Sequence, residues 1–135
     1  MRQVFVIDGD KFDDLAGFYD EFERIFTKDM TWRIGRGLDA VNDVLRGGFG
    51  RHEMYEPIDI VWRNFAKSRR DLGYPATVIY YEEMLRRCHP TNREDVLARL
   101  REAENGQGDT VLDRILSVIT AGGDSGHDCS LQCIE

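Results

Sequence analysis

Gln3-Val4-Phe5-Val6-Ile7-Asp8 runs directly into Gly9-Asp10. An unbroken apolar run, rich in β-branched residues and stopped by Asp-Gly-Asp, reads as a short buried strand. From Asp13 the period changes. Leu15, Phe18, Phe22, Ile25 and Phe26 recur at spacings of three and four, which draws one apolar stripe down a helix. Asp13 is the expected N-cap, with Asp14 near the positive end of the helix dipole, and the helix should run to about Lys28. A strand followed at once by an amphipathic helix is the opening half of a crossover unit, so a parallel partner strand is sought further along.

Two segments qualify. Ile58-Asp59-Ile60-Val61-Trp62, opened by Pro57, is one, and Cys129 to Ile134 is the other. Before the first of them, Thr31 to Gly37 links into a second helix from Leu38 to about Arg46, stopped by Gly47-Gly48. At 100° per residue Leu38, Val41, Val44 and Leu45 fall on one side of it. Asp39, Asp43 and Arg46 fall on the other, with Asn42 on the border. Further helical patterns cover Arg63 to Arg70, halted by Gly73, then about Thr77–Arg87, Arg93–Glu104 and Asp109–Thr120. Gly122 to Gly126 forms a polar turn, and Gly47-Gly48-Phe49-Gly50 is read as a turn as well. The order β-α-α-β-α-(α-α)-α-β defines an α/β chain with a parallel sheet. All 135 residues form one domain, without repeats or low-complexity tracts.

Composition narrows the function. Hydrophobic residues are 41% of the chain and charged residues 32%, as in globular proteins. No apolar run has the length of a membrane helix. The opening Met1 to Ile7 is too short for a signal h-region and ends in acids, so a cytoplasmic protein is expected. Cys88, Cys129 and Cys133 are odd in number and lack CxxC spacing, so they are read as free thiols, with no disulfide framework, metal or cofactor implied. The net charge of −7 is unevenly spread. Residues 8–29 hold eight acids against three bases, and residues 109–135 hold five acids against Arg114, whereas residues 62–101 hold nine bases against five acids. An acidic protein is a poor ligand for nucleic acid and a good one for a protein that binds nucleic acid.

No catalytic constellation emerges. His52, His89 and His127 stand far apart in sequence and outside any metal-ligand spacing, and each is read as a solvated loop residue. There is no GxSxG, P-loop or Cys-His motif. Asp39 and Asp43 lie one turn apart on an outward face, without a pocket to separate their pKa values. Like charges at that spacing repel mildly, so their placement asks for an external positive partner.

Three strings together resemble the barstar family, inhibitors of the ribonuclease barnase. They are Val6-Ile7-Asp8-Gly9, Ile34-Gly35-Arg36-Gly37-Leu38-Asp39-Ala40-Val41-Asn42-Asp43-Val44-Leu45, and Val61-Trp62-Arg63-Asn64-Phe65. The resemblance implies a three-stranded parallel sheet with flanking helices, with residues 74–107 a helical insertion absent from the short inhibitors. It also implies that the second helix and its preceding loop enter a nuclease active site. The acids that stand in for substrate phosphates would then be Asp39 and Asp43. Arg33, Ile34, Gly35, Arg36 and Gly37 would add shape and backbone contacts, with Asn42 and Arg46 at the edge. Several contact positions depart from the family pattern. Arg33 and Ser117 replace a tyrosine and a glutamate, Asn42 and Gly48 replace tryptophans, and Gly37 replaces an asparagine. A cognate enzyme other than barnase is therefore expected.

The leading expectation is a non-catalytic inhibitor of a secreted-type microbial ribonuclease, monomeric when free, with no direct contact to nucleic acid or membrane. The competing one keeps the fold but gives it another protein partner, met through the basic surface between Arg63 and Arg101.

Overall fold

A computed structural model of the chain describes residues 2–27, 37–47, 51–121 and 129–135. Three strands, β1 (Gln3–Asp8), β2 (Ile58–Arg63) and β3 (Cys129–Cys133), form one sheet in the order β1-β2-β3. Both pairings are parallel, with Phe5 opposite Ile60 and Ile60 opposite Leu131. The helices are α1 (Leu15–Phe26), α2 (Leu38–Arg46), α3 (Phe65–Asp71), α4 (Tyr74–Arg87), α5 (Arg93–Glu104) and α6 (Val111–Thr120). Single 3-10 turns occupy Gly9–Lys11 and Pro90–Asn92.

The strands alternate. Ile58, Ile60 and Trp62 of β2 point into the core, as do Phe5 and Ile7 of β1. Val4 and Val6 do not, being 59% and 39% exposed. The expectation of a fully buried first strand is thus corrected. A continuous apolar run marks burial on both faces only where both faces are covered. Here the face carrying Val4 and Val6 is open, and beside Val4 it is crossed by Asp59, which accepts hydrogen bonds from Arg2 and Ser130.

Aromatic packing holds α1 to the sheet. Phe18 stacks on Trp62, with centroids 5.5 Å apart and planes 12° from parallel, and Phe26 stacks on Phe5 at 4.7 Å. The N-cap of α1 is Asp14 rather than the expected Asp13, since Asp14 Oδ1 accepts the Gly17 N–H at 2.8 Å. Asp13 is drawn instead to Lys67, whose ammonium also donates to Asp71 and to the carbonyls of Gly9 and Phe12. Hydrogen bonds to Asp13 and Asp71 raise the Lys67 pKa above the ordinary lysine value. This tethers α3 beneath the first turn. The approach is close enough that a Cβ on Gly9 would lie 2.7 Å from the Arg63 carbonyl oxygen, so this position needs glycine. At the other end of α1 the helix stops at Phe26, short of the expected Lys28.

The helical pair α4–α5 has its own small core of Tyr81, Val96, Leu100 and Ala103. It is not a loose appendage. The Thr77 hydroxyl, fully buried, donates to the Gly73 carbonyl and accepts the Val111 N–H, while Ala76 and Tyr80 pack on the main core. A capping box of Thr110 and Asp113 then starts α6. Cys88 and Cys129 are half-buried and Cys133 exposed, all three as free thiols.

The Trp62 indole N–H donates to the buried Ser68 hydroxyl at 2.9 Å. Ser68→Ala leaves that donor without an acceptor, and urea unfolding should show a loss of about 1–3 kcal/mol. A loss below about 0.5 kcal/mol would mean that the indole is satisfied elsewhere.

Candidate partner-binding helix

The faces of α2 separate as its sequence demands. Val41, Val44 and Leu45 are buried, Leu38 is half-buried, and Asp39 and Asp43 are exposed. Gly37 is the N-cap but offers no side chain to the helix, and Gly47 is the C-cap. Gly47 has φ +98°, and a Cβ there would sit 2.1 Å from the Glu53 carbonyl oxygen, so both conformation and space require glycine. The chain can then fold back under the helix end, where the Tyr55 N–H donates to the Arg46 carbonyl.

Of the expected site residues, Gly37, Asp39, Asn42, Asp43 and Arg46 lie together on or just before this helix. Arg33, Ile34, Gly35 and Arg36 lie outside the described residues, as does Gly48. Arg46 reaches back one turn to Asp43, with Nη1 3.1 Å from Oδ1 and both side chains substantially exposed. Asn42 is half-buried on the border between faces. Ser117 is exposed on α6, the helix against which α2 packs.

Two features escaped the sequence reading. His52 is not a solvated loop histidine. It is 5% exposed, stands edge-on to the rings of Phe5 and Phe26, and its Nε2 lies 3.0 Å from the Leu45 carbonyl oxygen in the last turn of α2. That contact marks Nε2 as the protonated nitrogen, and Nδ1 has no partner among the described residues. A short polar stretch hid a residue that anchors the helix end from below. The second feature is Tyr80 of α4. Burial raises its phenol pKa, the Arg114 guanidinium of α6 opposes the rise, and the Asp39 carboxylate adds to it. The helical segment after β2 thus reaches the main core, on which Tyr80 packs, and α6, on which α2 also packs. No periodicity within α4 could have shown that, because the juxtaposition is tertiary.

Among the described residues no cluster of His, Cys, Asp and Glu could hold a metal ion, and no helix is long and apolar enough to cross a membrane. The architecture defines a small α/β protein in which two helices, α1 and α2, connect the first two parallel strands. The chain matches the family Barstar (barnase inhibitor) over residues 2–116, most of its length, and belongs to that family. The match ends within α6, so β3 lies beyond it. No curated protein matches the sequence.

The geometry separates side chains that stabilise from side chains that are spectators to folding. Asp39→Ala and Asp43→Ala should each alter unfolding free energy by no more than about 0.5 kcal/mol, since an exposed ion pair is worth little and the repulsion between the acids is relieved. His52→Ala should cost at least about 1–3 kcal/mol, because the Leu45 carbonyl loses its donor. Denaturation of the three variants side by side checks the assignment of faces. A large loss from either aspartate would put it on the wrong side of α2.

Proposed function

We propose that this protein is a non-catalytic inhibitor of a secreted-type microbial ribonuclease, acting by occlusion. Asp39 and Asp43 enter the cleft that binds substrate phosphates and meet its arginines and lysines, and no bond is made or broken. The observation that carries this reading is the pairing of two exposed carboxylates on one face of a helix whose other face buries Val41, Val44 and Leu45 in the core. Membership of a family described as barnase inhibitors supports it. The buried Val41, Val44 and Leu45 fix the backbone of this surface, so docking would order mainly its side chains. The Asp43–Arg46 pair does not block it. An exposed pair is worth about 0–1 kcal/mol, so a cationic cleft can take over Asp43 while Arg46 turns to solvent.

In this reading Gly37, Asn42 and Arg46 form the rim of the contact, joined by the loop of Arg33, Ile34, Gly35 and Arg36. Residues 1–135 act as one domain in which 74–107 is an insertion. The protein works in the cytoplasm as a monomer, without cofactor or metal, and touches neither nucleic acid nor membrane. Its net charge of −7 speeds encounter with a basic enzyme, and the association rate falls as salt rises.

A second reading keeps the fold and assigns a partner that is not a ribonuclease, met through the α4–α5 segment. The exposed Arg86, Arg87, Arg93, Arg99 and Arg101 favour it.

RNA cleavage by a panel of basic microbial ribonucleases, titrated with the protein, separates the two. The expected outcome is stoichiometric loss of cleavage with at least one enzyme, relieved by Asp39→Lys and weakened by added salt. Inhibition that survives charge reversal at both Asp39 and Asp43 would remove α2 from the site. No inhibition of any enzyme would favour the second reading.

A further inference from the structure

A half-open groove of about 580 Å³ lies between α1 and α4. That is the size of a site for a small ligand or a few inserted side chains. Its wall is apolar, with Leu15 from α1 and Ala76 and Ile79 from α4. Ile79 is 58% exposed, a large aliphatic side chain left in solvent at the groove. Tyr19 and Tyr80 both line the groove, and burial raises the pKa of each phenol. Burial, with Tyr80 adding, pushes the Tyr19 pKa up to about 12. The lining therefore contributes no phenolate charge at neutral pH. What charge it has comes from Asp14, Asp20 and Glu83, against the single guanidinium of Arg87.

We propose that this groove is a second docking site, which receives a basic segment with apolar stems from a protein partner. Lysine or arginine side chains would lay their methylenes over Ile79 and Leu15 and set their charges against Glu83, Asp20 and Asp14. An anionic or purely apolar segment would leave those carboxylates facing like charge or stripped of water. The packing of α4 on α6 gives the site its place in the molecule, because α2 packs on the same helix. A partner seated on α2 that also reaches α4 would meet it. The proposal thus extends the reading of α2 as a partner-binding helix, and rests on that reading only in giving both surfaces to one partner. It also gives α4 a role in choosing among basic partners, since α4 supplies Ala76, Ile79, Tyr80 and Glu83.

The test uses the full chain and a synthetic amphipathic peptide of lysine and leucine, about 12 residues long, the length of an ordinary helix. Amide shifts followed by NMR during titration should concentrate on Leu15, Ala16, Ala76, Ile79 and Tyr80. Ile79→Arg, at an exposed position that folding tolerates, should weaken binding by about tenfold, the size of one lost anchor. Glu83→Lys should weaken it as well, and Asp39→Lys should leave it within about twofold. Shifts confined to α2, or equal losses from Asp39→Lys and Ile79→Arg, would overturn the groove while leaving the inhibitor reading intact. So would sedimentation showing a dimer abolished by Ile79→Arg, since a second copy would then be the occupant. Preserved groove binding in a protein that inhibits no nuclease would overturn the α2 reading alone.

Discussion

The indole of Trp62 is wholly buried at the end of the central strand, and the elements around it are positioned by what it demands. Its face is covered by Phe18 of α1. Its edges meet Phe12, before that helix, and Phe65, at the start of α3, and its N–H requires the Ser68 hydroxyl. A residue this large, with one polar atom, can be buried only where shape and hydrogen bonding are both satisfied. Those demands set the pitch of α1 against the sheet and bring α3 close to Gly9. Lys67 completes the same junction by collecting carbonyls that the turn leaves open.

From that junction the position of α2 follows by packing rather than by any polar contact of its own exposed face. Val41, Val44 and Leu45 occupy core volume, Gly47 permits the chain to reverse, and His52 fastens the last turn from beneath. The exposed face is thereby relieved of structural duty. Two like charges one turn apart cost a few tenths of a kcal/mol on an isolated helix. A core with this much aromatic burial tolerates such a cost easily, and the cost becomes a gain when a positive surface arrives. Arg46 moderates the free state without sealing it.

Legibility in the sequence tracked the range of the interaction. The strand segments are short apolar runs, the stripe of α1 and both faces of α2 are periodic signals, and both kinds of signal are local. The choice of Asp13 over Asp14 as N-cap failed because Lys67, distant in sequence, competes for Asp13. The continuous run Val4 to Ile7 misled because hydrophobicity cannot tell a covered sheet face from an open one. His52 was missed for a similar reason. Its burial depends on Phe5, Phe26 and Leu45, three separate segments that meet only after folding. The candidate aspartates were legible for the opposite reason, since an outward face on a short helix is decided by the helix itself.

The segment between α3 and α6 poses a different question, because a helical hairpin with its own core could have stood away from the rest. It does not, since the Thr77–Val111 hydrogen bond and the packing of Ala76 and Tyr80 hold α4 against the main body. Anchored there, α4 packs on α6, the helix on which α2 also packs. It sets Ala76, Ile79, Tyr80 and Glu83 along α1, where they line one groove with Leu15, Asp14 and Asp20. The exposed acids of α2 supply attraction that many basic proteins would satisfy. In the proposed function discrimination needs contacts that only some of them can make, and α4, which lines the groove against α1, would provide these.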